Sequence, residues 1–216
     1  MSNFMMLLTC LAAGLVLRRS GHLPDGTHEV LNTVIVFISL PAVILLHLHH
    51  FHWDAGHLWP VLMPWALFVI GAGVFYIAGR LLRLPPSSVG ALMLVGGLGN
   101  TSFVGLPMIE SLHGRDGLGL GLLIDQLGSY LVLSTLGLAA CSVYGSDGRA
   151  SVKDIVQRVA RFPPFIAMLA ALLLIPVRFP PVLEDALARI GDTLAPLALI
   201  SVGMQLRFVA LREHLA

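Results

Sequence analysis

Seven apolar runs divide the chain, at 4–17, 30–48, 61–79, 89–109, 118–144, 162–177 and 194–209. Most reach the roughly 20 residues needed to cross about 30 Å of hydrocarbon. The first and sixth are shorter, a deficit that bilayer thinning or neighbouring helices accommodate. None alternates with the period of two that a membrane barrel needs. Backbone amides in lipid have no water to bond, so each run must satisfy its own peptide groups as a helix. The pattern predicts an all-α integral membrane protein of seven spans.

Composition agrees with the pattern. Of 216 residues, 56% are hydrophobic and 12% charged, with a mean hydropathy of +0.87; soluble domains run at about 45–50% apolar and about 25% charged. A soluble fold could not hide that much apolar surface. Thirteen basic and twelve acidic residues nearly cancel, and the basic ones are scattered rather than gathered in a stripe, which argues against nucleic acid as a partner. Cys10 and Cys141 lie inside apolar runs without metal-type spacing and read as small core residues. The first run could pass for the core of a signal peptide, but such peptides place their positive charges before the apolar stretch, whereas Arg18 and Arg19 follow it. It is therefore taken as the first span.

Charge sets an orientation. With seven spans, one side of the membrane receives Arg18, Arg19, Arg80, Arg83, Arg149, Lys153, Arg158, Arg161, Arg207 and Arg212, and the other only Arg115, Arg178 and Arg189. The positive-inside rule then puts the N-terminus outside and the long 145–161 loop in the cytoplasm.

The chain also echoes itself. The opening run is followed by "GHLP" and then "FISLP" at 37–41; the sixth run is followed by "RFPP" and then "LISVG" at 199–203. Ser39 and Ser201 are 162 residues apart, Phe4 and Phe165 161 apart. Five spans lie between the copies, so the second copy is inverted relative to the first. Such inverted repeats are a common plan of secondary carriers. The expected organisation is a complete five-helix repeat over 1–144, a cytoplasmic linker over 145–161, and the first two helices of a second, inverted repeat over 162–216. On this reading the chain is a carrier truncated after its seventh helix.

The most informative segment is "VGGLGNTSFVGLPMIESLHG" at 95–114. Five glycines between Gly90 and Gly105, the trio Asn100, Thr101 and Ser102, and Pro107 stand where a plain spanning helix would carry Leu and Val. Three consecutive polar residues cannot all face one packing partner. The fourth helix is therefore expected to be interrupted, offering free peptide groups and dipole ends near the bilayer midplane. The bland alternative is close helix packing through small residues, with Asn100 as an interhelical bond.

Four segments, "GNTSFVGLP" in the fourth span, "ISLPAVIL" in the second, "RRSGHLP" after the first and "APLALISVGMQL" in the seventh, resemble the auxin efflux carrier family of membrane transporters. That resemblance implies ten helices in two inverted five-helix repeats, with the fourth and ninth broken and crossing at prolines, and transport of organic anions such as dicarboxylates or indole acetate. It places Asn100 and Pro107 at or beside the fourth-helix crossover, Ser39 and Pro41 at a break in the second helix, and Gly203 at the equivalent place in the seventh. Helices eight to ten of that pattern are absent from this sequence, so transport by this chain alone is in doubt.

Asp125, beside Gln126, is the acid that lies well inside an apolar run. Holding a carboxylate there costs about 2.5–3.5 kcal/mol on insertion scales. Either it couples transport to a proton or a sodium ion, or it lies close enough to the external end to reach water. The segment "HLHHFHWDAGH" gathers His47, His49, His50, His52 and His57 around Asp54. It reads as a wet interfacial loop; a zinc or copper site is the alternative.

These features make the expected function secondary active transport of a small organic anion across the plasma membrane, the inner membrane in a bacterium, rather than an enzymatic activity or a cofactor-dependent one. The substrate-binding residues are expected to be Asn100, Thr101, Ser102, Pro107, Ser39 and Pro41, with Asp125 and Gln126 as coupling residues and no resident metal. Association as a homodimer is left open. The competing reading is a seven-helix membrane zinc hydrolase built on the His47 to His57 cluster. A retinal protein is disfavoured because Lys153, the only lysine, lies in a loop.

Overall fold

The computed structural model describes residues 2–51, 54–145 and 151–206. Among these residues the regular structure is all helical. We label the helices α1 (Ser2–Ser20), α2 (Thr27–His49), α3 (Ala55–Leu81), α4 (Pro86–Gly97), α5 (101–113), α6 (Arg115–Tyr144), α7 (Val152–Arg161), α8 (Pro163–Leu173) and α9 (Pro181–Gln205). The apolar runs are helical where they are described, apart from 98–100 in the fourth, the end of the sixth at 174–177 and single residues at 162 and 206, but the seven spans are not equal. Five rods are long and apolar enough to cross a membrane: α2, α3, α4 with α5 (Pro86–His113), α6 and α9. The pair α7 and α8, bent by 65° at Phe162, makes a sixth if counted as one span. α1, at 19 residues, falls outside that set.

Two boundaries differ from the apolar pattern. The 145–161 segment contains the helix α7, which a capping box between Ser151 and Asp154 starts. The last span begins at Pro181 rather than at 194, because the polar stretch before Leu194 is itself helical, and Pro181 suits a first-turn position where no N–H is needed. His52, Arg149, Arg207, Arg212 and the end of the seventh run at 209 lie outside the described residues.

The helices form two groups. α1, α2, α8 and α9 pack on one another, and α3, α4 and α6 do the same, with α5 lying between α1, α6 and α9. Between apolar helices in lipid, close packing and interhelical hydrogen bonds replace the hydrophobic driving force. The crossing of α1 and α9 is an example: a side chain added at Gly14 would strike the Ile200 carbonyl, and one at Gly203 the Leu11 carbonyl. Only glycine lets these two backbones touch.

The pairing within the first group is reciprocal. α1 packs on α9 while α8 packs on α2. Two buried serines repeat the exchange: Ser39 of α2 is 2.7 Å from the Thr193 hydroxyl of α9, and Ser201 of α9 donates to Asn32 Oδ1 of α2 at 2.5 Å. Side chains of both groups close the apolar core, with Leu40, Ile44 and Leu48 of α2 meeting Leu106 of α5, Leu122 of α6 and Met168 of α8.

The expected break at Ser39 and Pro41 is not present. α2 runs through both residues, and Ser39 itself is helical (φ −67, ψ −49). What the helix does instead is widen into a π-helical segment, Ile35–Ser39, in which the Leu40 N–H reaches back five residues to the Ile35 carbonyl. The cause is local: Pro41 has no N–H for the carbonyl four residues before it, and a π turn absorbs the mismatch without opening the helix.

Candidate functional site

The fourth span is broken, upstream of its proline. α4 ends at Gly97, Leu98 is extended (φ −121, ψ 125), Asn100 is non-helical (φ −81, ψ 79), and the chain becomes helical again at Thr101. Gly96, Gly97 and Gly99 precede the gap, and glycine is the weakest helix former after proline. Asn100 closes it: its Oδ1 accepts from the Phe103 N–H at 3.0 Å, and its carbonyl accepts from Val104 and Gly105 at 3.3 and 3.0 Å. An asparagine in this role is an N-cap, which satisfies one of the peptide N–H groups that a helix start leaves without an acceptor. Asn100 stays exposed, at the lip of the gap.

Below the lip the next two residues turn inward. Thr101 and Ser102 both donate hydroxyl hydrogen bonds to Asp125 of α6, Ser102 at 2.7 and 2.8 Å to the two carboxylate oxygens, and the Gln126 amide adds a third donor at 2.8 Å. Asp125 is 1% exposed and Gln126 fully buried, so the alternative in which Asp125 reaches water at the helix end does not hold. Both lie in a π-helical segment, Ile124–Tyr130. Irregular turns of this kind often mark functional stretches of helices. The side-chain oxygen of Gln126 is buried without a partner among the described residues. A negative charge at the start of α5 also suits the positive end of that helix.

Of the expected site residues, the structure therefore brings the half-buried Thr101 and Ser102 onto the buried Asp125 and Gln126, with Asn100 above them. Pro107 lies at the first turn of the regular part of α5 and is buried in packing. It does not make the break, because the π turn before it, with the Leu106 N–H on the Thr101 carbonyl, already accommodates it. Ser39 is engaged with Thr193, on the first group of helices. Three partners escaped the sequence reading: Thr193, Asn32, and Trp65, whose indole N–H donates to the Leu127 carbonyl at 3.0 Å. Asn32 and Trp65 are lone polar side chains within apolar runs and Thr193 stands just before one, signals too common to select them.

A cavity of about 370 Å³ adjoins the C-terminal half of the broken span, lined by Met6, Leu7, Pro107, Glu110, Arg115 and Asp192 among others. Arg115 bonds Asp192 at 2.5 Å and lies 3.9 Å from Glu110, tying the end of α5 to α9. Arg115 and Asp192 are both more than half exposed, so this tie contributes little to stability.

The histidines disperse. His49 is buried, with Nε2 at 2.9 and 2.6 Å from the Leu174 and Val177 carbonyls and its ring stacked on Phe179. His50 meets Glu184 at 3.1 Å, and His57 accepts from the Asp54 N–H in a capping box. Among the described residues no three His, Cys, Asp or Glu side chains stand where they could hold a metal ion. The reading of a zinc hydrolase finds no support in this arrangement.

Similarity to known proteins points the same way as the helices. Residues 1–143 match the family described as membrane transport protein. An uncharacterized transporter of Methanocaldococcus jannaschii is 25% identical over 221 residues, which take in 98% of this chain and 70% of the relative. An uncharacterized transporter of Methanothermobacter thermautotrophicus is 25% identical over 213 residues, 97% of this chain and 68% of the relative. Spanning helices, a break within one of them and a family match over most of its length together make this chain a multi-pass member of the membrane transport protein family, that of the auxin efflux carriers.

Proposed function

We propose that this chain takes part in secondary active transport of a small organic anion, a dicarboxylate or an auxin-like carboxylate, with the solute held at the broken fourth span. The observation that carries this reading is the unwound stretch 98–100 with its hydroxyl-bearing continuation docked on the buried Asp125. A helix start with free N–H groups suits a carboxylate, and Asn100, whose Nδ2 has no partner among the described residues, adds a donor at the lip.

The neighbouring acid supplies the coupling. An anion arriving about 5 Å from a charged Asp125 would be repelled by about 3 kcal/mol at an effective dielectric of 20. A proton or a sodium ion entering with the solute removes that repulsion, and the uncoordinated Gln126 oxygen is a ready ligand for a small cation. Moving solute and cation together also lessens the electrical work, about 2.3 kcal/mol per net charge per 100 mV.

The reciprocal packing of α1 on α9 and α8 on α2 supports an inverted repeat, with 1–144 as the first unit, 145–161 as the connector and 162–216 belonging to the second. In this reading the N-terminus faces outward across a plasma membrane, α1, α2, α8 and α9 form the frame, and α3 to α6 carry the solute.

The test is binding of labelled dicarboxylates and indole acetate to purified protein, with Asn100→Ala as the variant. Saturable binding that disappears in the variant, at unchanged expression, is the expected result. A variant that binds like the parent would remove Asn100 from the site.

A further inference from the structure

A second cavity, of about 740 Å³, opens between the two groups of helices and runs from Leu98, in the unwound stretch, to α7. Phe37, Leu98, Leu133 and Leu138 contribute to its apolar wall, while Arg158 and Arg161 of α7 stand at its rim. The arginines are three residues apart on a helix and so share one side of it. Neither pairs with a carboxylate among the described residues. The acid nearest in sequence, Asp154, is engaged instead by the Ser151 N–H at the helix start.

The position of α7 is held from the groove itself. Tyr130 stacks on Phe162 at the elbow, with ring centroids 4.1 Å apart, and donates its hydroxyl to the Arg158 carbonyl at 3.2 Å. On α7, Val152 and Val156 are 75% and 59% exposed, an apolar edge on a helix that also carries Lys153 and the two arginines. A short helix with this division, bent 65° from the rod that follows, has the character of one lying in the headgroup layer.

We propose that this groove binds one anionic phospholipid, its phosphate on Arg158 and Arg161 and its acyl chains along the apolar wall. Two unpaired guanidiniums above an apolar trough complement a molecule with a charged head and a hydrocarbon body, and basic pockets between membrane helices take such headgroups. A free inorganic anion would satisfy the rim and leave the trough unfilled.

Native mass spectrometry of the purified chain with equimolar phosphatidylglycerol and phosphatidylcholine of identical acyl chains tests the assignment. The expected result is retention of phosphatidylglycerol over phosphatidylcholine on the order of tenfold. That preference falls close to unity in the double variant Arg158→Gln, Arg161→Gln. Leu133→Trp, which fills the trough and leaves the arginines in place, lowers phosphatidylglycerol retention as well. Equal retention of the two lipids by the parent overturns the proposal, as does an unchanged preference in the double variant. Undiminished retention in Leu133→Trp, or displacement of the lipid by millimolar inorganic phosphate, would show a bare anion site and overturn it equally.

Discussion

The second and fourth spans carry the same local sequence and respond to it differently. Phe37, Leu40 and Pro41 recur as Phe103, Leu106 and Pro107, each time with a π turn immediately before the Leu-Pro pair. In both, the leucine N–H bonds the carbonyl five residues back. Yet α2 is continuous, whereas the fourth span opens over 98–100. What differs lies upstream: Val30, Leu31, Asn32, Thr33 and Val34 in α2, against Gly96, Gly97, Leu98, Gly99 and Asn100. In these two spans proline accompanies the π turn, while the gap accompanies the glycines and the asparagine cap; α6 has π turns without any proline. The polar partners differ too. Ser39 meets one neutral hydroxyl, while Thr101 and Ser102 meet a buried carboxylate.

The strongest way to break this comparison is Asp125→Leu. It leaves two hydroxyls and an amide without their acceptor, and an orphaned buried group costs about 1–3 kcal/mol. Partial relief comes from removing a buried charge, so the net loss is expected on the order of 3 kcal/mol. A fall in the thermal midpoint by far more than for any change at Ser39 is the readout. A midpoint close to the parent's would mean that the carboxylate does not hold the fourth span.

Asn100→Ala comes next, with the loss of a cap worth about 0.5–2 kcal/mol. Hydrogen exchange should quicken at the Phe103 amide while the amides of α4 keep their rates; unchanged exchange at Phe103 would mean the cap is not used. Ser39→Ala removes one neutral hydrogen bond, about 1 kcal/mol. Thr193 keeps its own bond to the Ile190 carbonyl at 2.6 Å, so a loss comparable to that of Asp125→Leu would erase the contrast between the two spans.

The smallest effect sharpens the distinction between turn and gap. Pro41→Ala and Pro107→Ala each restore an N–H, and each π turn should tighten, slowing local amide exchange. The gap should survive Pro107→Ala, with the Leu98 and Gly99 amides exchanging as fast as before. If they became protected, proline rather than glycine would be the cause of the break.

Much of this contrast was readable in the sequence. The glycines and the Asn100 to Ser102 trio announced the interruption, because no regular helix in lipid gains from them. The break expected at Ser39 and Pro41 failed for a reason equally local: a proline can be absorbed by one wider turn, and nothing upstream in α2 weakens the helix further. The histidine segment, read as a wet interfacial loop with a metal site as the alternative, is partly helical with His49 buried, and closeness in sequence does not make its side chains converge; His49 turns to the end of α8, His50 to α9, and His57 to its own loop.

The amino-acid sequence alone determined that this is a helical membrane protein, roughly where its rods begin and end, and which rod is broken. Those properties follow from hydrocarbon thickness, from peptide groups that must bond within their own segment, and from glycine's low helix propensity, all of which act along a few consecutive residues. The tertiary structure alone decided that Thr101 and Ser102 meet Asp125, that α1 pairs with α9 and α8 with α2, and that Arg158 and Arg161 overlook an apolar groove. Such contacts join residues some 20 to 190 positions apart or helices from different groups. They depend on which faces of similar apolar rods lie together, and in lipid that choice rests on shape and on a few polar partners rather than on hydrophobicity, which the rods share.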